Sequence, residues 1–205
     1  MFKIHDKENM FESIWNFPNN LKDAIVLGNG IDLKNDYSHI NNIVIAGMGG
    51  SAIGGDIVSV LENSNIKIPY TVCRDYSIPE WVNSSSLVIC SSYSGNTEET
   101  ISAFHKSIER GASICGITTG GTLLQLLKEH KRDIIKIPSG LQPRAAVAFS
   151  FIPLIKLMEK IGLIKSELDL WIEKSIDVLE KKRIIYSNEG NENPVYQLAQ
   201  KIYKK

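Results

Sequence analysis

The sequence predicts a three-layer α-β-α sandwich built around a parallel β-sheet. Short apolar runs alternate with helical patterns between Ile43 and Ile161, an order that is typical of βαβ units. The runs are continuously apolar rather than alternating, which indicates strands that are covered on both faces. Hydrophobic residues make up 43% of the 205-residue chain, enough for a buried core.

Five strands and four intervening or following helices account for this alternation. The strands are predicted where short apolar runs stand between turn signals, at Ile43–Ala46, Tyr70–Cys73, Leu87–Cys90, Ser113–Thr118 and Ile134–Ile137. The helices are predicted at Ser51–Leu61, Thr97–Arg110, Thr122–His130 and Ala145–Ile161. Five strands with helices on both sides predict a flavodoxin-like, doubly wound sheet.

The two ends of the chain differ from the central pattern. Residues 1–40 contain short helical patterns that Pro18 interrupts, and residues 163–205 are charged, amphipathic helical sequence. We therefore expect an N-terminal helical segment packed on the domain (1–40), a ligand-binding domain (41–162) and C-terminal linker helices (163–205).

Composition and charge argue against several classes of protein. Lys and Arg total 23, as do Asp and Glu, so the formal net charge is +0 and no bulk field attracts nucleic acid or an anionic membrane. No apolar run approaches the ~20 residues of a membrane helix. Cys73, Cys90 and Cys115 lack CxxC spacing, and an odd number of cysteines without a signal peptide predicts the reducing cytoplasm. We expect no metal or other cofactor.

A glycine-rich loop, Gly47-Met48-Gly49-Gly50-Ser51-Ala52, follows the first predicted strand. Its glycines expose successive N–H groups, and the helix that follows adds partial positive charge, so an anion is expected here. Ser51 is expected both to cap that helix and to donate its hydroxyl. The loop also matches the dinucleotide fingerprint G-x-G-x-x-A, with Arg74 and Asp75 near the place where such a fold contacts the ribose. A tight turn without a ligand is the third interpretation.

A serine-rich loop follows the third predicted strand. Ser92, Ser94 and Thr97 could satisfy the three terminal oxygens of a phosphate monoester without the desolvation cost of a buried lysine. A capped turn is the alternative, because Asn96 and Glu99 have capping-box-like spacing. Loops after adjacent parallel strands face one crevice, and a dinucleotide fold needs no second hydroxyl-rich loop there. The two loops together therefore favour a phosphate site.

An arginine stands where the last predicted helix begins. Pro143 suits the first helical position, which would place Arg144 in the first turn. A cation is unfavourable at that end of a helix unless an anion binds at the same point. A solvent-exposed arginine without a ligand is equally compatible with the sequence.

Several segments carry a resemblance to a known family: Ile45–Asp56, Ser92–Thr100 and Pro143–Ala146, with Arg74–Tyr76 and Thr119–Gly121 also similar. They resemble the sugar isomerase (SIS) superfamily and, more narrowly, the bifunctional phosphoglucose/phosphomannose isomerase family. The resemblance implies that Arg144 stabilises an enediolate and that Gly50 offers its backbone to the substrate's phosphate. It also implies that the phosphate is held by the hydroxyls of Ser51, Ser92, Ser94 and Thr97.

The resemblance implies an aldose–ketose isomerase that interconverts glucose 6-phosphate or mannose 6-phosphate and fructose 6-phosphate. Members of the family carry two SIS domains, with a general-base glutamate near the start of the second. We therefore expect this chain to be an N-terminal domain with its linker, and to be inactive alone. A non-catalytic sugar-phosphate sensor is the alternative. A third interpretation, a nucleotide-dependent oxidoreductase, is supported by the first loop alone. We expect a hexose 6-phosphate ligand and a homodimer, without nucleic-acid or membrane partners.

Overall fold

The computed structural model describes residues 6–188 and 190–203. These residues form two compact units, one ending at Ser166 and the other beginning at Glu167. The second unit consists of two helices, α7 (Leu168–Ser187) and α8 (Pro194–Tyr203). Within the described ranges, no helix is both long enough and apolar enough to cross a membrane.

A five-stranded parallel sheet forms the centre of the first unit. The strand order is β2-β1-β3-β4-β5, the order of flavodoxin-like sheets, and the predicted fold class is confirmed. Both β1 and β3 are buried along their whole length, as their continuous apolarity predicted. The strands are β1 (Asn42–Gly47), β2 (Tyr70–Cys73), β3 (Ser86–Ser92), β4 (Ser113–Thr118) and β5 (Asp133–Lys136).

Helices cover both faces of this sheet. The first unit contains α1 (Met10–Trp15), α2 (Phe17–Asn29), α3 (Gly49–Leu61), α4 (Glu98–Glu109), α5 (Gly121–Glu129) and α6 (Ala148–Lys160). On one face, Phe104 of α4 and Leu127 of α5 pack in a cluster with Val44. On the other face, α3 lies over Ile45, the next residue of the same strand. There α3 packs closely on α6, since a Cβ added at Gly54 would lie 2.7 Å from the Cβ of Ser150.

The last helix of the first unit begins later than predicted. A 3₁₀ turn occupies Pro143–Ala145, and α6 starts only at Ala148. The turn closes because the backbone N–H of Ala145 donates to the carbonyl of Gln142 at 2.8 Å. Arg144 therefore lies in a separate turn ahead of α6, and the prediction of a cation in the first turn of a long helix is wrong.

A buried carboxylate joins the N-terminal segment to the edge strand β5. Asp133 is 5% exposed and accepts hydrogen bonds from the backbone N–H groups of Lys34 (2.8 Å) and Asn35 (3.0 Å) and from the hydroxyl of Tyr37 (2.8 Å). Burial raises the pKa of Asp133, but these hydrogen bonds to the charged form outweigh it and hold the pKa below its ordinary value. The folded state therefore favours the ionised carboxylate.

We expect Asp133→Asn to destabilise the chain by about 1–3 kcal/mol at neutral pH, because an amide nitrogen would face buried donors. A carboxyl whose pKa falls on folding stabilises the protein above its unfolded pKa, and this stability is lost as the pH falls through the folded value. The difference between wild type and variant in urea denaturation should therefore shrink from about pH 7 to about pH 3. Asp32→Asn, at an exposed position, is the control. A pH-independent difference would contradict the assignment.

Candidate functional site

The carboxyl ends of β1, β3 and β4 meet at one edge of the sheet. Gly47 pairs with Ser91, and Ser92 pairs with Thr118, so the three strands end side by side. The helix after β1 covers one face and the helix after β3 covers the other. A crevice between the two loops is the usual ligand position in such a sheet.

The first loop presents an uncapped helix N-terminus to this edge. Helix α3 follows Met48, and no side chain caps it, so the predicted capping role of Ser51 is wrong. Instead, the Oγ of Ser51 accepts the backbone N–H of Tyr93 at 3.2 Å, and its own hydrogen remains available to a ligand. Within the described residues, the N–H groups of Gly49 and Gly50 have no hydrogen-bond partner.

The second loop arranges its three hydroxyls at different depths. Ser94 is exposed, and its Oγ accepts the N–H of Asn96 at 3.2 Å. Ser92 is 1% exposed; its Oγ accepts the N–H of Gly95 at 3.0 Å and lies 2.8 Å from the Oγ1 of Thr97. The hydroxyls of Ser94 and Thr97 are therefore nearer the surface, and Ser92 orients Thr97 from beneath.

The capping-box interpretation of the second loop is not supported by its hydrogen bonds. Thr97 precedes α4 without a side-chain cap. The side-chain oxygen of Asn96 accepts instead from the N–H (3.0 Å) and the hydroxyl (3.1 Å) of Thr122 at the start of α5. The first N–H groups of α4 are thus left without a side-chain acceptor, which makes a second anion-attracting helix end at the same edge.

The 3₁₀ turn that carries Arg144 lies against the first loop. A Cβ added at Gly50 would be 3.0 Å from the carbonyl oxygen of Pro143. Arg144 itself is exposed and forms no ion pair within the described part of the chain. The structure therefore brings the two predicted loops and the Pro-Arg turn together.

The arginine that the dinucleotide interpretation assigns to a ribose is engaged elsewhere. Arg74 forms an ion pair and a hydrogen bond with Asp56 on α3. Asp75, the neighbouring candidate, is exposed. A ribose contact by Arg74 would require this ion pair to open.

Sequence reasoning did not identify Tyr93, which contacts three other loops. Its backbone N–H donates to Ser51. Its carbonyl accepts a hydrogen bond from the hydroxyl of Thr119 at 2.8 Å, and its side-chain hydroxyl accepts one from the N–H of Leu141 at 2.8 Å. The one available signal was an aromatic hydroxyl within a loop of serines.

Two of the three cysteines, Cys90 and Cys115, lie in the core and not in this site. Cys90 and Cys115 are fully buried, and burial raises the pKa of Cys90 to about 12, so its thiol is an inert core group. In residues 6–188 and 190–203, no cluster of three His, Cys, Asp or Glu side chains could hold a metal.

We expect Gly95→Ala to collapse the second loop. Gly95 has φ +72°, and an added Cβ would lie 1.8 Å from the carbonyl oxygen of Gly120. Gly111→Ala is the matched control, since Gly111 has φ +68° with nothing within 4 Å of an added Cβ. Both variants carry the left-handed backbone cost of about 1–2 kcal/mol, and overpacking should add about 1–3 kcal/mol for Gly95 alone. Equal losses in urea denaturation would contradict the close packing of the loops.

Comparison with known proteins places these motifs in context. No protein-family model matches the chain. The bifunctional phosphoglucose/phosphomannose isomerase of Caldicellulosiruptor bescii is 46% identical over 198 residues, which is 96% of this chain and 58% of that protein. The protein of the same name from Thermoplasma acidophilum is 50% identical over 115 residues, 56% of this chain and 35% of its own length.

A solved structure shares the fold. The C-terminal domain of glucosamine-fructose-6-phosphate aminotransferase from Francisella tularensis aligns with a TM-score of 0.65 at 19% identity, over 89% of this chain and 56% of that one. The chain thus spans only part of the curated relatives that it matches. By its sequence similarity across nearly its whole length, the chain belongs to the bifunctional phosphoglucose/phosphomannose isomerase family.

Proposed function

We propose that the chain is the sugar-phosphate-binding domain of an aldose–ketose isomerase that interconverts glucose 6-phosphate or mannose 6-phosphate and fructose 6-phosphate. The observation that carries the proposal is the pairing of two polar loops at one sheet edge, joined by the hydrogen bond between Tyr93 and Ser51. Family membership supplies the substrate class, and the local geometry supports a phosphate anchor.

The phosphate would be held by hydroxyls and backbone N–H groups. Ser51, Ser94 and Thr97 would donate their hydroxyl hydrogens, Gly50 would donate its N–H, and Ser92 would act by holding Thr97 in place. The uncapped ends of α3 and α4 each contribute a partial charge of about +0.5. These groups suit a phosphate dianion without the desolvation cost of a buried lysine. We call this set of residues the phosphate cradle.

The chemistry would occur at the far end of the sugar. Isomerisation moves a proton between C1 and C2 through a cis-enediol(ate), so it needs a general base and a group that stabilises the developing oxyanion. The phosphate is on C6, so the cradle binds the substrate without touching the reacting carbons. Arg144 is the proposed electrophile, because its turn packs against Gly50 of the cradle and its long side chain can extend from there toward the reacting carbons. We assign no general base among the described residues.

A non-catalytic sugar-phosphate sensor is the second candidate, because the cradle alone explains binding but not proton transfer. An activity assay distinguishes the two candidates. An isomerase turns over substrate when a general base is present beside the cradle, whereas a sensor binds the sugar phosphate without turnover. The homodimer, the cytoplasmic location and the absence of nucleic-acid and membrane partners remain part of the proposal.

The binding test compares fructose 6-phosphate with NAD by calorimetric titration of the chain. We expect binding of the sugar phosphate, because the second hydroxyl-rich loop serves a phosphate monoester and Arg74 is paired with Asp56. Tight NAD binding without sugar-phosphate binding would overturn the proposal in favour of the oxidoreductase interpretation.

We expect Ser94→Ala to weaken binding of fructose 6-phosphate about tenfold or more, because a hydrogen bond to a charged group contributes ~1.5–3 kcal/mol. Because Ser94 is exposed, the melting temperature of the variant should differ little from that of the wild type. Ser59→Ala is the control, since that hydroxyl donates within α3 to the carbonyl of Asp56. Unchanged affinity together with a lowered melting temperature would assign Ser94 a purely structural role.

A further inference from the structure

Four loops that leave the carboxyl edge of the sheet are linked by one residue. The backbone N–H of Tyr93 donates to Ser51 (3.2 Å), its carbonyl accepts the N–H (3.2 Å) and the hydroxyl (2.8 Å) of Thr119, and its hydroxyl accepts the N–H of Leu141 (2.8 Å). The contacts with Ser51 and Thr119 use the main chain of Tyr93 and would survive most substitutions of that residue. The contact with Leu141 alone requires the tyrosine hydroxyl.

Leu141, which this hydroxyl contacts, belongs to the segment 138–147, which we call the Arg144 loop. At its C-terminal end, the carbonyls of Ala146 and Val147 accept hydrogen bonds from the first residues of α6. Ahead of that junction, two hydrogen bonds in the described residues connect the loop to other segments: the bond from Leu141 to Tyr93 and one from the side chain of Gln142 to Glu8 at 3.2 Å. The bond to Glu8 is exposed and joins two long side chains, so it constrains the backbone weakly. The bond to Tyr93 is half-buried and anchors the backbone directly.

The position of the Arg144 guanidinium depends on this backbone. Arg144 is exposed and has no ion pair in the described ranges, so no carboxylate there fixes its side chain. Its turn reaches the cradle through the contact between Pro143 and Gly50. A loop that moved away at Leu141 would carry the arginine away from the cradle.

We propose that Tyr93 is a positioning residue whose hydroxyl holds the Arg144 loop against the phosphate cradle. The inference rests on the proposed function, and it assigns Tyr93 a role distinct from phosphate binding. The main chain of Tyr93 fixes the cradle through Ser51, while its side chain fixes the turn that carries the electrophile. Tyr93 thereby links the phosphate anchor to the electrophile, in addition to the packing of Pro143 against Gly50.

The first test removes only the hydroxyl. In Tyr93→Phe, hydrogen–deuterium exchange in residues 138–147 should be roughly 2- to 10-fold faster than in wild type, as expected for one lost hydrogen bond. Tyr70→Phe is the matched control, because that hydroxyl donates to the carbonyl of Gly55 at 2.9 Å, away from the loop. Exchange in residues 138–147 that is unchanged by Tyr93→Phe, or changed equally by Tyr70→Phe, would overturn the proposal.

The second test separates positioning from simple destabilisation. Two probes are titrated: inorganic phosphate, which reports the cradle, and 6-phosphogluconate, whose C1 carboxylate places negative charge where the enediolate would form. Tyr93→Phe should leave phosphate affinity within about twofold and weaken 6-phosphogluconate about 3- to 10-fold. Equal weakening of both probes would mean that Tyr93 acts on the whole site, and would overturn the assignment.

A double-mutant cycle tests whether Tyr93 acts through Arg144. Adding Tyr93→Phe to Arg144→Gln should cost little further 6-phosphogluconate affinity, because the group being positioned is already absent. Additive losses would overturn the proposal. If wild type bound neither probe, the proposed function would fail, while the exchange experiment without ligand would still decide whether the hydroxyl holds the loop.

Discussion

The parallel pairing of β1 with β3 is the constraint on which the site depends. The two strands run in register from Asn42 beside Ser86 to Gly47 beside Ser91, and both are buried throughout. At the end of the pair the backbones approach so closely that a Cβ on Gly47 would lie 2.8 Å from the carbonyl oxygen of Ser91. A slip of one residue would exchange the side chains packed under α3 with those packed under α4 and would shift the two loops relative to each other.

A neutral chain can attract an anion because the sheet edge concentrates partial charges. The net charge is +0, so the attraction must be local. Helices α3 and α4 both begin at this edge without side-chain caps, which leaves N–H groups for a ligand. The hydroxyls of Ser51 and Ser94 each accept a backbone N–H and keep their own hydrogen for donation. The proposed phosphate binding therefore needs no buried cation.

The edge strand β5 connects the N-terminal segment to the Arg144 loop. Asp133 at its start binds the backbone of Lys34 and Asn35, so the N-terminal segment holds the strand in place. The Arg144 loop follows the other end of the same strand, where the N–H of Ile137 donates to the carbonyl of Thr118 at 3.0 Å. The N-terminal segment thereby supports the loop that carries the proposed electrophile, without contributing to the chemistry itself.

The sequence by itself determined the fold class, the five strands and the positions of the two polar loops, because apolar runs and glycines act over a few neighbouring residues. The burial of Ser92, the acceptor role of Ser51 and the linking role of Tyr93 were decided by the tertiary structure. Tyr93 meets Ser51 and Leu141 across 42 and 48 residues of chain. Such contacts exist only after the strands pair, because pairing is what brings distant loops to one edge of the sheet.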